Sequence, residues 1–573
     1  MKVASFIFIL LFSHFAWAQE PTSNRTYTAI RTESKPKIDG ILTDEAWCMA
    51  AEEFKGKFTQ ISPNNGTEDQ FESRFLILYD DKSIYIAAEL YDENPDQIPT
   101  ELSTRDNLWR NSDYFGIVLD TYKKGQNGIG FFVSSSGVQT DMVYTNRDND
   151  RNWDAVWKSA VKITDRGWSL EMEIPYQAIR FPEAEIQEWG MNLIRRNVRL
   201  GMESSWNFVD RQMNGFLNQA GTLHGIKNID PPVRLSLMPY VSSVYQKDQA
   251  SGNSKVSFNG GMDVKYGINE SFTMDMTLIP DFSNVRSDNQ VLNLSPFEVR
   301  YDENRPFFTE GTELFNMGGL FYSRRVGQTR RNVSDTELND NEIIVSEPTN
   351  APLINASKVS GRTIKGLGVG VFNAISRNSV AFAKDTITGI EREIVADPFT
   401  NYNVTVLDQN LKNNSNIGLI NTNVYRSNKG RNANVTLAQA SLRDKTNTWS
   451  LYSQFGYGHL SDTVFNSSDR NITDGFKYTL YFSKVSGNFQ FNLGRNVESD
   501  TWNINELGYM RAANEVNHNL NLKYNIYKPF GKIFNSMYSN LEVRHSQLYK
   551  PGLFQNFNTS ARARFQFVNF WDI

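Results

Sequence analysis

The sequence predicts an all-β protein: an N-terminal antiparallel β-sandwich followed by a transmembrane antiparallel β-barrel with a long irregular insertion. Three observations predict it. Long runs of strictly alternating apolar and polar residues begin near Val256 and recur to the end of the chain. Short strand-like runs, punctuated by turn residues, fill the region before them. The chain opens on an apolar leader of the kind that directs export.

The leader comes first. Lys2 supplies the charge, Val3 to Phe15 the apolar run, and Ala16-Trp17-Ala18 the small-residue cleavage pattern, so residues 1–18 read as a signal peptide. The only cysteine, Cys48, leaves no intramolecular disulfide and no cysteine metal cluster. At 573 residues the chain calls for at least two domains. A net charge of −5 argues against a nucleic-acid partner. Mean hydropathy is −0.48, and no mature stretch approaches the roughly 18 apolar residues of a membrane helix. Barrels escape that test because lumen-facing residues dilute the average, and aromatics at 13% suit strands and interface girdles.

Residues 25–230 are expected to form the sandwich. Thr43 or Asp44 is placed to cap a short helical turn that turns Trp47 inward. Strand-like runs follow at Phe71–Leu78, Ser83–Leu90, Tyr114–Leu119, Gly130–Val133, Val156–Ile163 and Trp168–Ile174. Asp80-Asp81-Lys82, Lys124-Gly125-Gln126-Asn127-Gly128 and Asp165-Arg166-Gly167 separate them. Pro175 to Ile179 reads as one helical turn, and Asp230-Pro231-Pro232 marks the boundary.

Residues 233–573 are expected to form the barrel. Val256, Phe258, Met262, Val264 and Tyr266 share one strand face, opposite Ser257, Asn259, Asp263 and Lys265. Phe272, Met274, Met276 and Leu278 likewise oppose Thr273, Asp275 and Thr277. Soluble strands run about 5–6 residues, whereas tilted membrane strands need about 9–11, so the length of these runs favours a membrane. A lipid-facing Arg or Lys near the midplane costs roughly 2–4 kcal/mol, which confines charges to one parity. The same pattern returns around Phe476 to Ser483, Val516 to Ile526 and Phe557 to Phe567, giving roughly a dozen to sixteen strands. Gly366, Gly368 and Gly370 read as small residues on the wall. Residues 280–353 lack a period and read as a folded insertion inside the lumen. Its Arg305, Glu310, Arg324 and Arg325 are expected either to line a permeation path or to pair with the inner wall and hold a plug.

Ile38-Asp39-Gly40, Asp44-Glu45-Ala46-Trp47, Asp113 to Asp120 and Gly167 to Pro175 resemble carbohydrate-binding module family 9. From Val233 onward the chain resembles an uncharacterised outer-membrane barrel family, on Asn293 to Glu298 and Glu303 to Gly311. Members of that family tend to be longer, so a shortened member is expected. The first resemblance implies a sandwich that holds sugar between two tryptophans, placed by position at Trp109 and Trp206. Trp153 and Asp113 are named as further ligand contacts, and Phe115 stands where sugar-binding members carry a carboxylate.

Plainer readings stand beside these. Trp109, Trp153 and Trp157 suit a stacking platform, but core packing is favoured. Asp148, Asp150 and Asp154 crowd oxygen ligands that suit calcium, yet the loop lacks an EF-hand's Gly and distal Glu. A solvated turn is therefore expected there, and no cofactor is assigned. Glu171 and Glu173 share a strand face that reads as the exposed one. The reading is an outer-membrane protein, bedded in outer-membrane lipid, whose periplasmic sandwich takes a carbohydrate ligand. The alternatives are a glycoside hydrolase and a module docking envelope protein partners.

Overall fold

The computed structural model describes residues 25–573 apart from 51–54, 109–110, 146–148, 152, 230–234, 248–253, 270, 281–290, 302, 304, 310–313, 329–337, 349–350, 428–429, 464–469 and 570. The signal peptide, the boundary at Asp230-Pro231-Pro232, Trp109, Asp148 and Glu310 lie outside these residues.

The sandwich has two facing sheets. One is built around Ile186–Asn197, flanked by Tyr114–Asp120, Asn127–Ser134 and Gln139–Thr145 on one side and Gly221–Lys227 on the other. The other runs Lys158–Thr164, Gly167–Pro175, Ser83–Tyr91, Ser73–Tyr79. Pairing is antiparallel except for the short N-terminal strands Thr26–Thr28 and Ile30–Arg31, which join one sheet each in parallel. Between the sheets lies one apolar core containing Phe75, Ile86, Phe115, Phe131, Leu170, Trp189 and Trp206. The expected strands are present, displaced by one to three residues at their ends.

Ser83–Tyr91 and Gly167–Pro175 are buried on both faces. Their second face is covered by the helix Glu45–Met49, with Trp47 1% exposed against Leu76, Leu78, Tyr85 and Ala87. Asp44 occupies the N-cap position but its carboxylate accepts Lys37 N–H instead, at 2.7 Å. This lid corrects the reading of Glu171 and Glu173, which are 0% and 6% exposed. Glu171 accepts hydrogen bonds from Trp47 Nε1 at 2.6 Å, Asp39 N at 2.8 Å and Gly40 N at 2.6 Å. Burial pushes its pKa up against those three donors. Gly40 has a φ of +86°, and a Cβ there would meet the Val161 backbone at 2.8 Å. The Ile38-Asp39-Gly40 and Trp47 signature is thus a tether for the lid.

Among the described residues the C-terminal part holds, beside a separate three-stranded sheet of Glu342–Ser346, Ser379–Asp385 and Glu391–Asp397, a 14-stranded antiparallel sheet whose strands pair in sequence order. Its strands are β1 (Leu235–Lys247), β2 (Ser254–Gly267), β3 (Phe272–Leu278), β4 (Leu353–Arg362), β5 (Leu367–Ser376), β6 (Thr400–Asn410) and β7 (Asn416–Arg426). They continue as β8 (Asn432–Arg443), β9 (Trp449–Thr463), β10 (Arg470–Lys484), β11 (Phe489–Glu498), β12 (Glu515–Ile526), β13 (Phe534–Leu548) and β14 (Phe554–Phe567). The two edge strands, β1 and β14, are not paired with each other among the described residues.

The alternation sorts faces as expected on β3 and β10. Thr273, Asp275, Thr277, Thr479 and Ser483 are buried inward, while Leu480 and Phe482 stay 49% and 44% exposed on the outer face. Trp449 stacks on Phe482 at 5.6 Å and lies edge-on to Phe491, an aromatic cluster at one rim. On β5 to β8 the inward face is apolar too. Phe372, Tyr402, Val404, Val406, Ile420 and Leu437 point inward and are at most 2% exposed, while Val371, Leu407 and Leu419 keep the outer face apolar at 42–44% exposed. Among them on the outer face, Asn373 donates to Asn401 and Asn403 at 2.6 and 2.8 Å. Amide pairing of this kind is how polar groups are held on such a face. The apolar inward face has its cause in the insertion.

That insertion is more regular than its sequence suggests. It carries a helical turn at Pro306–Thr309, 3-10 turns at Met317–Gly319 and Ser323–Arg325, and a strand, Glu342–Ser346, paired with Ser379–Asp385. Phe308, Leu314, Phe315, Met317 and Leu320 pack against the inward residues of β5 to β8, so the wall there is a core. Gly368 and Gly370 seat the plug: a Cβ on either would stand 2.9 Å from Leu314 and 3.1 Å from Phe315, respectively. The connection 499–514 folds inward as well, laying Trp502 over Gly456 and Gly458.

Candidate ligand-binding site

The sandwich holds a cleft of about 560 Å³ lined by Ile38, Ser103, Arg105, Gly137, Val138, Gln139, Lys158 and Ser159. Arg105 organises it. Its guanidinium donates to the Asp154 carboxylate at 3.1 Å, Gln139 Oε1 at 2.8 Å, the Asp141 carboxylate and the Ala155 carbonyl. Asp141 is fully buried and also accepts from Trp157 Nε1 at 3.2 Å. Gln139 in turn donates to Ser159 Oγ at 2.9 Å. Lys158 lies 3.5 Å from Glu173, the buried carboxylate that also binds Lys35. Burial pushes the pKa of neighbouring Asp106 up to about 6, with Asp141's charge acting the same way and Arg105's opposing it. The result is a polar network fixed by its own hydrogen bonds, in which Arg105 is 39% exposed at the surface and has most of its five N–H groups already engaged.

Of the four expected ligand residues Trp109 lies outside the described residues, and Trp206, Trp153 and Asp113 do not line this cleft. Trp206 is 4% exposed, edge-on to Phe75 at 5.8 Å and Tyr27 at 6.4 Å. It is a core residue with no ring face to offer a sugar. Asp113 is 2% exposed and accepts the Val198 N–H at 2.8 Å, so its carboxylate fixes a backbone turn. Burial pushes its pKa up. Trp153 is half-buried and edge-on to Phe131, while Trp157 is buried against the same ring, as core packing predicts. Asp154 spends its carboxylate on Arg105, and among the described residues no cluster of three metal-ligating side chains occurs.

Sequence reasoning missed Arg105, Gln139 and Lys158. Gln139 and Lys158 begin strands and Arg105 lies in a turn, and their only signal is a polar side chain at such a place, which solvated residues share.

In the barrel the charges of the insertion pair mostly with each other. Arg305 bridges Glu303 at 2.7 Å and Arg325 bridges Glu298 at 2.6 Å, while Arg324 stands 3.8 Å from Glu303. Of the two expected roles, lining a permeation path and pairing with the inner wall, these pairs decide neither, and Glu310 lies outside the described residues. The wall contacts are apolar, joined by Lys358 of β4, which donates to the Phe307 carbonyl. The inward loop is locked by a buried pair, Arg426 with Glu506, at 2.7 Å.

The sandwich touches the barrel at one end. Gln126 Nε2 donates to the Leu411 and Ser415 carbonyls, both at 3.3 Å, and Gly487 N donates to the Gln212 carbonyl at 2.8 Å. Arg211 lies over the rings of Tyr527 and Tyr538.

Comparison with known proteins follows this division. The family described as Carbohydrate family 9 binding domain-like matches residues 38–207, and Domain of unknown function (DUF5916) matches residues 231–573. A comparison with curated proteins found no match. Among solved structures, a candidate carbohydrate-binding protein from Bacteroides uniformis is 12% identical with a TM-score of 0.28, over 35% of this chain and 99% of its own. The outer membrane protein OpdK from Pseudomonas aeruginosa is 9% identical with a TM-score of 0.26, over 79% of this chain and 87% of its own. A BenF-like porin from Pseudomonas fluorescens is 10% identical with a TM-score of 0.23, over 80% and 94%. Values this low lend no weight to any transfer of function. The chain belongs to the DUF5916 family, and it carries a domain like the family 9 carbohydrate-binding module ahead of the region that defines it.

Proposed function

We propose that this protein binds a glycan at the cell envelope through its sandwich, from the periplasmic side of an outer-membrane barrel, without covalent chemistry. The cleft around Arg105 carries the reading. Sugar hydroxyls are recognised by fixed donors and acceptors, and Arg105, Gln139 and Ser159 are held in place by one another before any ligand arrives. Trp109, four residues after Arg105, is the proposed stacking partner.

Orientation is supported by loop length. The sandwich meets turns 411–415, 485–488 and 527–533, whereas the opposite end carries connections 279–352, 377–399 and 499–514. Outer-membrane barrels keep short turns in the periplasm and longer loops outside.

The test is a glycan-array screen of the full chain in detergent, followed by titration of any hit. Binding is expected, with Arg105→Ala and Trp109→Ala each weakening it at least tenfold. Absence of any glycan signal, or an Arg105→Ala affinity equal to the wild type, would overturn the reading in favour of protein docking.

A further inference from the structure

Inward residues of β5 to β8 are sealed beneath the plug, whereas on the inward faces of β9 to β12 Tyr452, Gln454, Tyr481, Asn492, Asn519 and Asn521 are only half-buried and carry different chemistry. On β9, Tyr452 and Gln454 point inward below the glycines that seat Trp502. Gln454 Nε2 donates to Gln439 at 3.0 Å, and the Tyr452 hydroxyl shares that acceptor at 3.2 Å. Tyr481 on β10 lies beside Tyr452, ring centroids 6.3 Å apart, and spreads over Gly494 of β11. Next come Asn492 of β11, bonded to Ser483 at 2.9 Å, and Asn519 and Asn521 of β12, which pair in register with Gly494 and Asn492. Asn519 and Asn521 are half-exposed, and Lys523 two residues on is exposed.

We infer that this wall is a track for a polyhydroxylated, uncharged solute of the sugar type. Two tyrosine rings offer apolar faces to a pyranose, and a contiguous bed of amides offers both donors and acceptors to its hydroxyls. A lumen wall needs polar side chains only to be wetted. Here the amides are concentrated beside two tyrosines tilted 37° to each other, and they lie towards the end on which the sandwich sits. A solute held by the sandwich would therefore meet this wall on entering the barrel. The inference rests on the barrel itself and stands whether or not the sandwich binds a glycan.

The full chain in a planar lipid bilayer tests it, with maltotriose added on either side as the probe. Ion current is expected, together with saturable block by maltotriose. Tyr481→Ala and Gln454→Ala should each raise the half-blocking concentration at least fivefold. Phe482→Ala, on the outer face of the same strand, should leave it unchanged. Heat-modifiable gel migration shows that each variant is folded, and having two track variants covers the loss of one. Current without saturable block, no current above the bare bilayer, or equal shifts in the inward and outward variants would overturn the inference. The glycan screen reads the sandwich and this measurement reads the lumen, so each fails separately.

Discussion

Trp206→Ala is expected to destabilise the sandwich by about 3–5 kcal/mol, the usual cost of emptying a large aromatic site in a core. The ring sits between Phe75 and Tyr27 and covers Gly221, where a Cβ would stand 2.6 Å from it. Its backbone is tied by a hydrogen bond from Trp206 N to the Leu193 carbonyl at 2.9 Å. Little nearby can collapse into the space, because both sheets are pinned by their ladders. Urea unfolding of the solubilised chain, followed by tryptophan fluorescence, measures the loss. Trp153→Ala, at a half-buried site, should cost far less. A sugar-contacting Trp206 would give the opposite pattern: near-normal stability with lost binding.

That residue shows where sequence reading stops. Alternation reports which face a side chain lies on, not whether the face is covered. The family resemblance places Trp206 by position in a sugar site, and the sequence cannot correct this because aromatic residues serve cores and sugar sites alike. Glu171 was expected at the surface because carboxylates usually are. It is buried because three donors, two of them backbone N–H groups in the Ile38-Asp39-Gly40 turn, take over the role of water. Ile186–Asn197, the central strand of its sheet, escaped notice altogether. Its polar residues break the pattern, yet they serve the interior. Arg195 is 2% exposed and donates to the Glu72 and Tyr91 carbonyls, and Asn192 donates to the Asn207 carbonyl. Burial lowers the pKa of Arg195.

The barrel strands were legible because lipid imposes a penalty that only one parity can escape. Where the plug replaces lumen water with apolar side chains, the inward face of β5 to β8 turns apolar as well and the alternation fades. No local signal reveals that, since the cause lies up to about a hundred residues away in sequence.

The second large effect is expected at Glu506. Arg426 and Glu506 are 7% and 9% exposed, and the Arg426 guanidinium also donates to the Arg431 carbonyl at 2.6 Å. Glu506→Leu leaves a buried cation without its counter-charge, and removing one partner of such a pair costs about 3–5 kcal/mol. Connection 499–514 should then detach from the wall, taking Trp502 off Gly456 and opening the loop to protease. The double variant Arg426→Met with Glu506→Leu should recover much of the loss, because the buried cation is removed together with its main counter-charge, leaving only buried Asp397 of the carboxylates that act on Arg426. Thermal melting in detergent and limited proteolysis measure both. A single variant as stable as the wild type would mean that the loop is held by Trp502, Ile504 and Leu507 alone.

The most direct test of the whole account is a spin-label scan of β12 in lipid vesicles. Single cysteines at residues 517–524, with Cys48 replaced by serine, would be probed by collision with oxygen and with a water-soluble nickel chelate. Oxygen access should peak at Leu520, Leu522 and Tyr524, and nickel access at Asn519, Asn521 and Lys523, the two curves rising and falling every second residue and out of step. Equal access on both parities, or outer positions shielded from oxygen, would contradict a strand with lipid on one side and water on the other.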